Sequence, residues 1–116
     1  MDIYHVFCDT APGTGDIAFA EALDRYLGHL RAEGLIERWR LTRAKLGFGL
    51  RGMGDWHIML EVRDLVQLEA AFSRIATRAD PEESLHHGVN SLVRNPVFAL
   101  YRDFPDPVRR RGDEKF

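Results

Sequence analysis

Five histidines are spread along this chain, at positions 5, 29, 57, 86 and 87. Imidazole exchanges a proton near neutral pH, so a pair of histidines in one enclosed site could act as general acid and base. His5 and His57 are the best candidates, because each sits in a stretch that reads as a β-strand. Residues facing each other across adjacent strands bring their Cβ atoms to about 4.5–5.5 Å. The competing reading is two interface histidines, each satisfied by a hydrogen bond. Arg40 could hold an anionic or enolate oxygen through its planar fork. Asn90 could orient a substrate from irregular chain. Tyr101 and one of His86 and His87 could line the same pocket, but not both histidines, since adjacent helical residues point about 100° apart. His29 falls on the polar side of a helix and is expected to be solvated.

A three-histidine metal site lacks the usual H-x-x-x-H or H-E-x-x-H spacing, so no metal is expected. The glycines from Gly47 to Gly54 match neither a phosphate-binding loop nor a dinucleotide fingerprint, so no nucleotide cofactor is expected either. Cys8 is the single cysteine. It ends a strand with no base beside it in sequence, which suits a buried apolar residue better than a nucleophile.

These residues need a scaffold. Asp2–Cys8 is rich in β-branched and aromatic residues and ends at a Pro-Gly turn, which predicts a strand. Asp16 is placed to cap a helix from Ile17 to Glu33, with Gly34 as its stop. Phe19, Leu23, Tyr26, Leu27 and Leu30 recur at helical spacing and form its apolar stripe. A strand within Ile36–Leu46 follows, with Trp39 and Leu41 on one face and Arg38, Arg40 and Thr42 on the other. In Asp55–Arg63, Trp56, Ile58, Leu60 and Val62 alternate with His57, Met59 and Glu61, the cleanest strand pattern in the chain. Asp64-Leu65-Val66-Gln67 reads as a capping box opening a second helix to about Ala79. A two-turn helix from Pro81, limited by Gly88, leads to a last strand at Pro96–Arg102.

The order is β-α-β-β-α-β, the split βαβ arrangement in which two helices cover one face of a four-stranded antiparallel sheet. Tyr4, Val6, Ile58, Leu60 and Val62 should then face the helices. Ile3, His5, Phe7, His57, Met59 and Glu61 should face the open side, which is too apolar for water alone. The expected solution is a homodimer closing sheet on sheet through Ile3, Phe7 and Met59. The chain reads as a single domain over residues 1–103 with a tail over 104–116.

This order, together with Gly54-Asp55-Trp56-His57-Ile58-Met59-Leu60-Glu61-Val62 and Ala99-Leu100-Tyr101-Arg102-Asp103-Phe104-Pro105-Asp106, resembles the dimeric α/β-barrel superfamily. That group includes antibiotic-biosynthesis monooxygenase-like proteins and muconolactone isomerase. Within it the chain is most similar to a small family of uncharacterised bacterial proteins. The resemblance implies a ferredoxin-like α+β fold and a barrel dimer. It also implies a small organic ligand, aromatic or polyketide-like, with cofactor-free oxygenation or isomerisation as the reaction. A non-catalytic ligand-binding or structural dimer is the alternative. Haem-degrading members carry a ligating histidine late in the second helix, whereas Ser73–Ala79 contains none, so haem is not expected.

Composition agrees with a soluble globular chain. Of its 116 residues, 45% are hydrophobic and 29% charged, a balance unlike that of disordered chains. The net charge of −2 gives no global attraction to nucleic acid, and no nucleic-acid partner is expected. Arg109-Arg110-Arg111 is too short a basic run to change that. No apolar run is long enough to span a bilayer and no basic leader precedes the first strand, so a cytoplasmic location without membrane attachment is expected.

Overall fold

The computed structural model describes residues 1–106 and Arg111. Its elements are β1 (Asp2–Thr10), α1 (Asp16–Ala32), β2 (Arg38–Arg43), β3 (Trp56–Val62), α2 (Leu65–Ala76), α3 (Glu82–Asn90) and β4 (Val93–Arg102). The sheet is antiparallel with strand order β2-β3-β1-β4. This is the ferredoxin-like α+β arrangement, with α3 added between α2 and β4. Of the expected tail, Phe104–Asp106 and Arg111 are described, while Arg109 and Arg110 lie outside the described residues.

The register sets the two faces. Tyr4 lies opposite Leu60, Val6 opposite Ile58 and Cys8 opposite Trp56, and these side chains face the helices. Ile3 lies opposite Glu61, His5 opposite Met59 and Phe7 opposite His57 on the open side. The core forms where α1 presses on the sheet. Phe19, Leu23, Leu27 and Leu30 of α1 are buried together with Ile36, Ile58, Val62, Leu68, Ala71 and Val89. Cys8 is fully buried among them, and burial pushes its thiol up to about 11.

Several boundaries differ from the sequence reading for identifiable reasons. Gly15 is the N-cap of α1, and Asp16 is its first residue. The Asp16 carboxylate accepts from the Ile17 amide at 2.8 Å and pairs with Arg43 across the fold. Gly34 follows the C-cap at φ +73°, a conformation that a side chain would strain. Asp64 does cap α2, accepting from the Gln67 amide at 2.9 Å. Gln67 is buried and its amide nitrogen donates to the Gly34 carbonyl at 3.0 Å, so one residue joins both helix ends. α2 ends at Ala76 and not near Ala79, and Arg78 takes a positive φ of 54°.

α3 continues through Gly88 to Asn90, because Val89 is anchored in the core. Pro81 is its N-cap and not its first turn, and Asp80 accepts from the Ser84 amide at 3.0 Å. β4 starts at Val93, ahead of the expected Pro96. A register shift between Phe7 and Asp9 accommodates Asn95 at φ 53°. Asp2 and Arg102, a hundred positions apart in sequence, clasp β1 to β4 with Arg102 Nε donating at 2.5 Å to an almost fully buried carboxylate.

Two glycines make contrasting predictions for thermal unfolding. A Cβ on Gly54 would sit 2.1 Å from the Cys8 carbonyl carbon, against backbone that cannot yield. Gly54→Ala should therefore destabilise the fold by roughly 1–3 kcal/mol or more. Gly28 lies within α1, and a Cβ there would meet only Asp24 Oδ1 at 3.8 Å, an ordinary contact. Gly28→Ala should stabilise by roughly 0.5–1 kcal/mol. Equal melting temperatures for the two variants would contradict this packing.

Candidate functional site

The six residues singled out from sequence fall on opposite sides of the sheet. His5, His57, Arg40 and Tyr101 lie on the open face. His86 and Asn90 belong to α3 and line a cavity under the helices. A four-stranded sheet separates the two groups, so they cannot meet in one site.

On the open face, His5 and His57 are diagonal neighbours. His5 Nδ1 and His57 Nε2 are 2.8 Å apart, a hydrogen bond in which one nitrogen donates and the other accepts. The rings stack with centroids at 5.1 Å, Phe7 stacks on His57 at 4.1 Å, and Tyr101 meets His5 edge-on at 5.0 Å. Burial lowers both imidazoles below their ordinary value, and for His57 the neighbouring His5 lowers it further.

Among the described residues no countercharge is free to pair with them. Glu61 is four residues along β3 from His57 but is taken by Arg38, at 2.8 and 3.2 Å. Arg40, opposite Met59 on β2, has no acidic partner among the described residues. The pair is thus held neutral between aromatic rings, with His5 Nε2 buried and without a hydrogen-bond partner among the described residues.

On the helix side, a cavity of about 210 Å³ lies between the sheet and the three helices. α1 supplies Leu23, Leu27 and Leu30, the sheet supplies Val6, Ile58 and Leu60, and α2 supplies Leu68, Ala71, Phe72 and Ile75. Polar atoms enter only from Tyr4, Tyr26, His86 and Asn90, and no Asp, Glu, Lys or Arg lines it among the described residues. Tyr4 is fixed between Phe72, edge-on at 5.3 Å, and Phe98, stacked at 6.0 Å. Tyr26 packs beside His86 with ring centroids 5.4 Å apart. Burial raises both phenols above their ordinary range, and Glu82 raises Tyr26 further, so both hydroxyls stay protonated and can donate.

Behind this wall, His29 is not simply solvated. It is half-buried, with Nε2 3.6 Å from the buried carboxylate of Glu82. Arg74 donates to the same carboxylate at 2.9 Å and holds it below the usual range. Glu82 therefore joins α3 to α1 and α2 and keeps the cavity wall in place. Sequence reasoning missed Tyr4 and Tyr26 as cavity polar groups, since both sit on apolar stripes. The polar tip of tyrosine on such a stripe was the available signal. Among the described residues no group of three or more His, Cys, Asp or Glu side chains could hold a metal ion.

Solved structures share this architecture at low identity. An Arabidopsis thaliana protein refined as a crystal ensemble matches with a TM-score of 0.72 at 6% identity, over 93% of this chain and 100% of that one. A dimeric ferredoxin-like protein of unknown function from Jannaschia sp. CCS1 matches with a TM-score of 0.62 at 14% identity, over 89% of this chain and 100% of that one. An uncharacterised NIPSNAP-like domain protein from Burkholderia xenovorans matches with a TM-score of 0.58 at 15% identity, over 93% and 90%. At such identities the likeness is one of fold. No curated protein matches this chain in sequence. A family model matches residues 1–116 in full, and the chain belongs to that family of unknown function, DUF6614.

Proposed function

We propose that this chain is one half of a two-fold dimer and that each half binds a small, uncharged, largely apolar organic molecule in the cavity beneath its helices. The observation that carries this reading is the cavity lining: apolar on every side, with four polar tips and no Asp, Glu, Lys or Arg among the described residues. Ligand pockets have this composition, a few polar groups fixing orientation within an apolar wall. An apolar cavity of about 150 Å³ admits benzene, so about 210 Å³ suits a single ring with a small substituent. Burying a carboxylate there without a partner would cost far more than the contacts return. His86 and Asn90 keep the ligand-facing roles expected of them. His86 is the proton-handling group for an isomerisation or cofactor-free oxygenation. If no turnover occurs, the same cavity makes the chain a ligand-binding module.

The open face is the dimer surface in this reading, and His5, His57, Arg40 and Tyr101 act there instead of on substrate. Half-buried Ile3 and Phe7 and the exposed Val97 and Tyr101 leave an apolar patch that needs covering. The dimeric ferredoxin-like protein of similar fold from Jannaschia sp. CCS1 supports this assembly.

Two outcomes follow. Benzyl alcohol should raise the melting temperature and benzoate of the same size should not, because only the former is neutral. Ala71→Phe, which fills the cavity, should abolish the benzyl alcohol effect. Stabilisation by benzoate equal to that by benzyl alcohol would contradict the reading. Stability should also depend on pH. Both imidazoles titrate below their value in an open chain, so the unfolded state takes protons first as pH falls through about 6.5. The stability they contribute is therefore full above that value and lost below it. Thermal unfolding from about pH 8 to about pH 5 should report a melting temperature that falls with pH, with the dependence flattened in His57→Phe. A melting temperature whose pH dependence is the same in His57→Phe would contradict a buried, neutral pair.

A further inference from the structure

The four polar tips that reach the cavity beneath the helices differ in how far water can serve them. Asn90 is exposed, and Tyr4 and His86 are half-buried. Tyr26 is only 7% exposed and sits in the middle of α1 among the buried Leu23, Leu27 and Leu30. Its hydroxyl makes no hydrogen bond among the described residues, yet it is not sealed in packed core, because it opens on the cavity. A buried tyrosine ordinarily finds a partner for its O–H, so this phenol calls for one from outside the chain.

Acceptors of the chain's own are committed elsewhere. Glu82 is near enough to act on the phenol, but its carboxylate accepts from Arg74 at 2.9 Å and lies 3.6 Å from His29. The carbonyls of α1 around Tyr26 serve the helix ladder. Losing the proton offers no relief, since burial and Glu82 both hold the phenol protonated. A phenol also donates more strongly than it accepts, because the ring draws on the oxygen lone pairs. The partner for this donor must therefore come from inside the cavity.

The lining narrows what that partner can be. No Asp, Glu, Lys or Arg faces the cavity among the described residues, so an anionic acceptor would be buried without a countercharge. A basic amine would take up a proton and bring a charge of its own. A carbonyl oxygen accepts well, stays neutral and fits beside a single ring in about 210 Å³.

We propose that Tyr26 is the specificity-determining donor of this cavity, and that the ligand is a small cyclic or aromatic ketone or aldehyde whose carbonyl oxygen accepts from the Tyr26 hydroxyl. This rests on the ligand-binding reading above and adds the functional group that the cavity selects. A buried donor discriminates against an isostere without the acceptor, because that isostere strands the donor away from water.

Acetophenone and α-methylstyrene, which differ in C=O against C=CH2, test it through dissociation constants measured by calorimetry. The ratio of the two constants is compared across the wild type, Tyr26→Phe and Tyr4→Phe, so the unequal cost of taking the probes out of water cancels. The constant for acetophenone relative to that for α-methylstyrene should rise about tenfold in Tyr26→Phe and stay unchanged in Tyr4→Phe. The infrared carbonyl stretch of bound acetophenone should move to higher frequency in Tyr26→Phe, as the lost hydrogen bond stiffens it. Without ligand, Tyr26→Phe should melt no lower than the wild type, because the hydroxyl it removes bonds nothing in the described chain. An unchanged ratio, a change shared equally by Tyr4→Phe, or an unliganded Tyr26→Phe that melts well below the wild type would overturn the assignment and leave the cavity reading standing. A wild type that binds neither probe would overturn the cavity reading, and this inference with it.

Discussion

The strict alternation of β1 governs the rest of the molecule. β1 lies inside the sheet, hydrogen-bonded to β3 on one side and to β4 on the other, so its register is held twice. Successive side chains point to opposite faces, and a slip of one residue would exchange them all. Tyr4, Val6 and Cys8 go to the helices, and Ile3, His5 and Phe7 go to the open side. Burying Cys8 in the core makes the slipped register untenable, since Asp9 or Phe7 would have to take its place. The clasp between Asp2 and Arg102 secures the far end of the same strand.

From that alternation come two compartments with different chemistry. The helix side offers apolar walls and a few hydrogen-bonding tips, with no Asp, Glu, Lys or Arg among the described residues. The open side holds a hydrogen-bonded imidazole pair kept neutral by burial, with the nearby carboxylate already committed to Arg38. Histidines in such a setting report on whether the face is covered, because the cost of charging them rises as water leaves.

Much of this was legible in the sequence, and for physical reasons. The α1 stripe and the β3 alternation each obey one period cleanly, so their buried faces were readable, and with them the proximity of His5 and His57. What period alone could not give was the third dimension. Nothing local to His86 says that α3 folds under α1 and not over the sheet. That placement depends on Glu82 meeting His29 and Arg74 from two other helices. Gly88 is a weak helix former, yet burial of Val89 carries α3 past it, as tertiary packing commonly overrides propensity. The approach of Gly54 to the Cys8 backbone is likewise a contact between distant segments that no local pattern records.

Separation of the two compartments is the central claim, and the histidine ring signals in an NMR titration test it most directly. With benzyl alcohol added at neutral pH, the His86 resonances should move while those of His5 and His57 stay in place. Lowering the pH should titrate His5 and His57 as a coupled pair below the ordinary imidazole value, and His5→Ala should raise the value for His57. A ligand that shifts His5 and His57 together with His86, or a His57 indifferent to the loss of His5, would contradict the account.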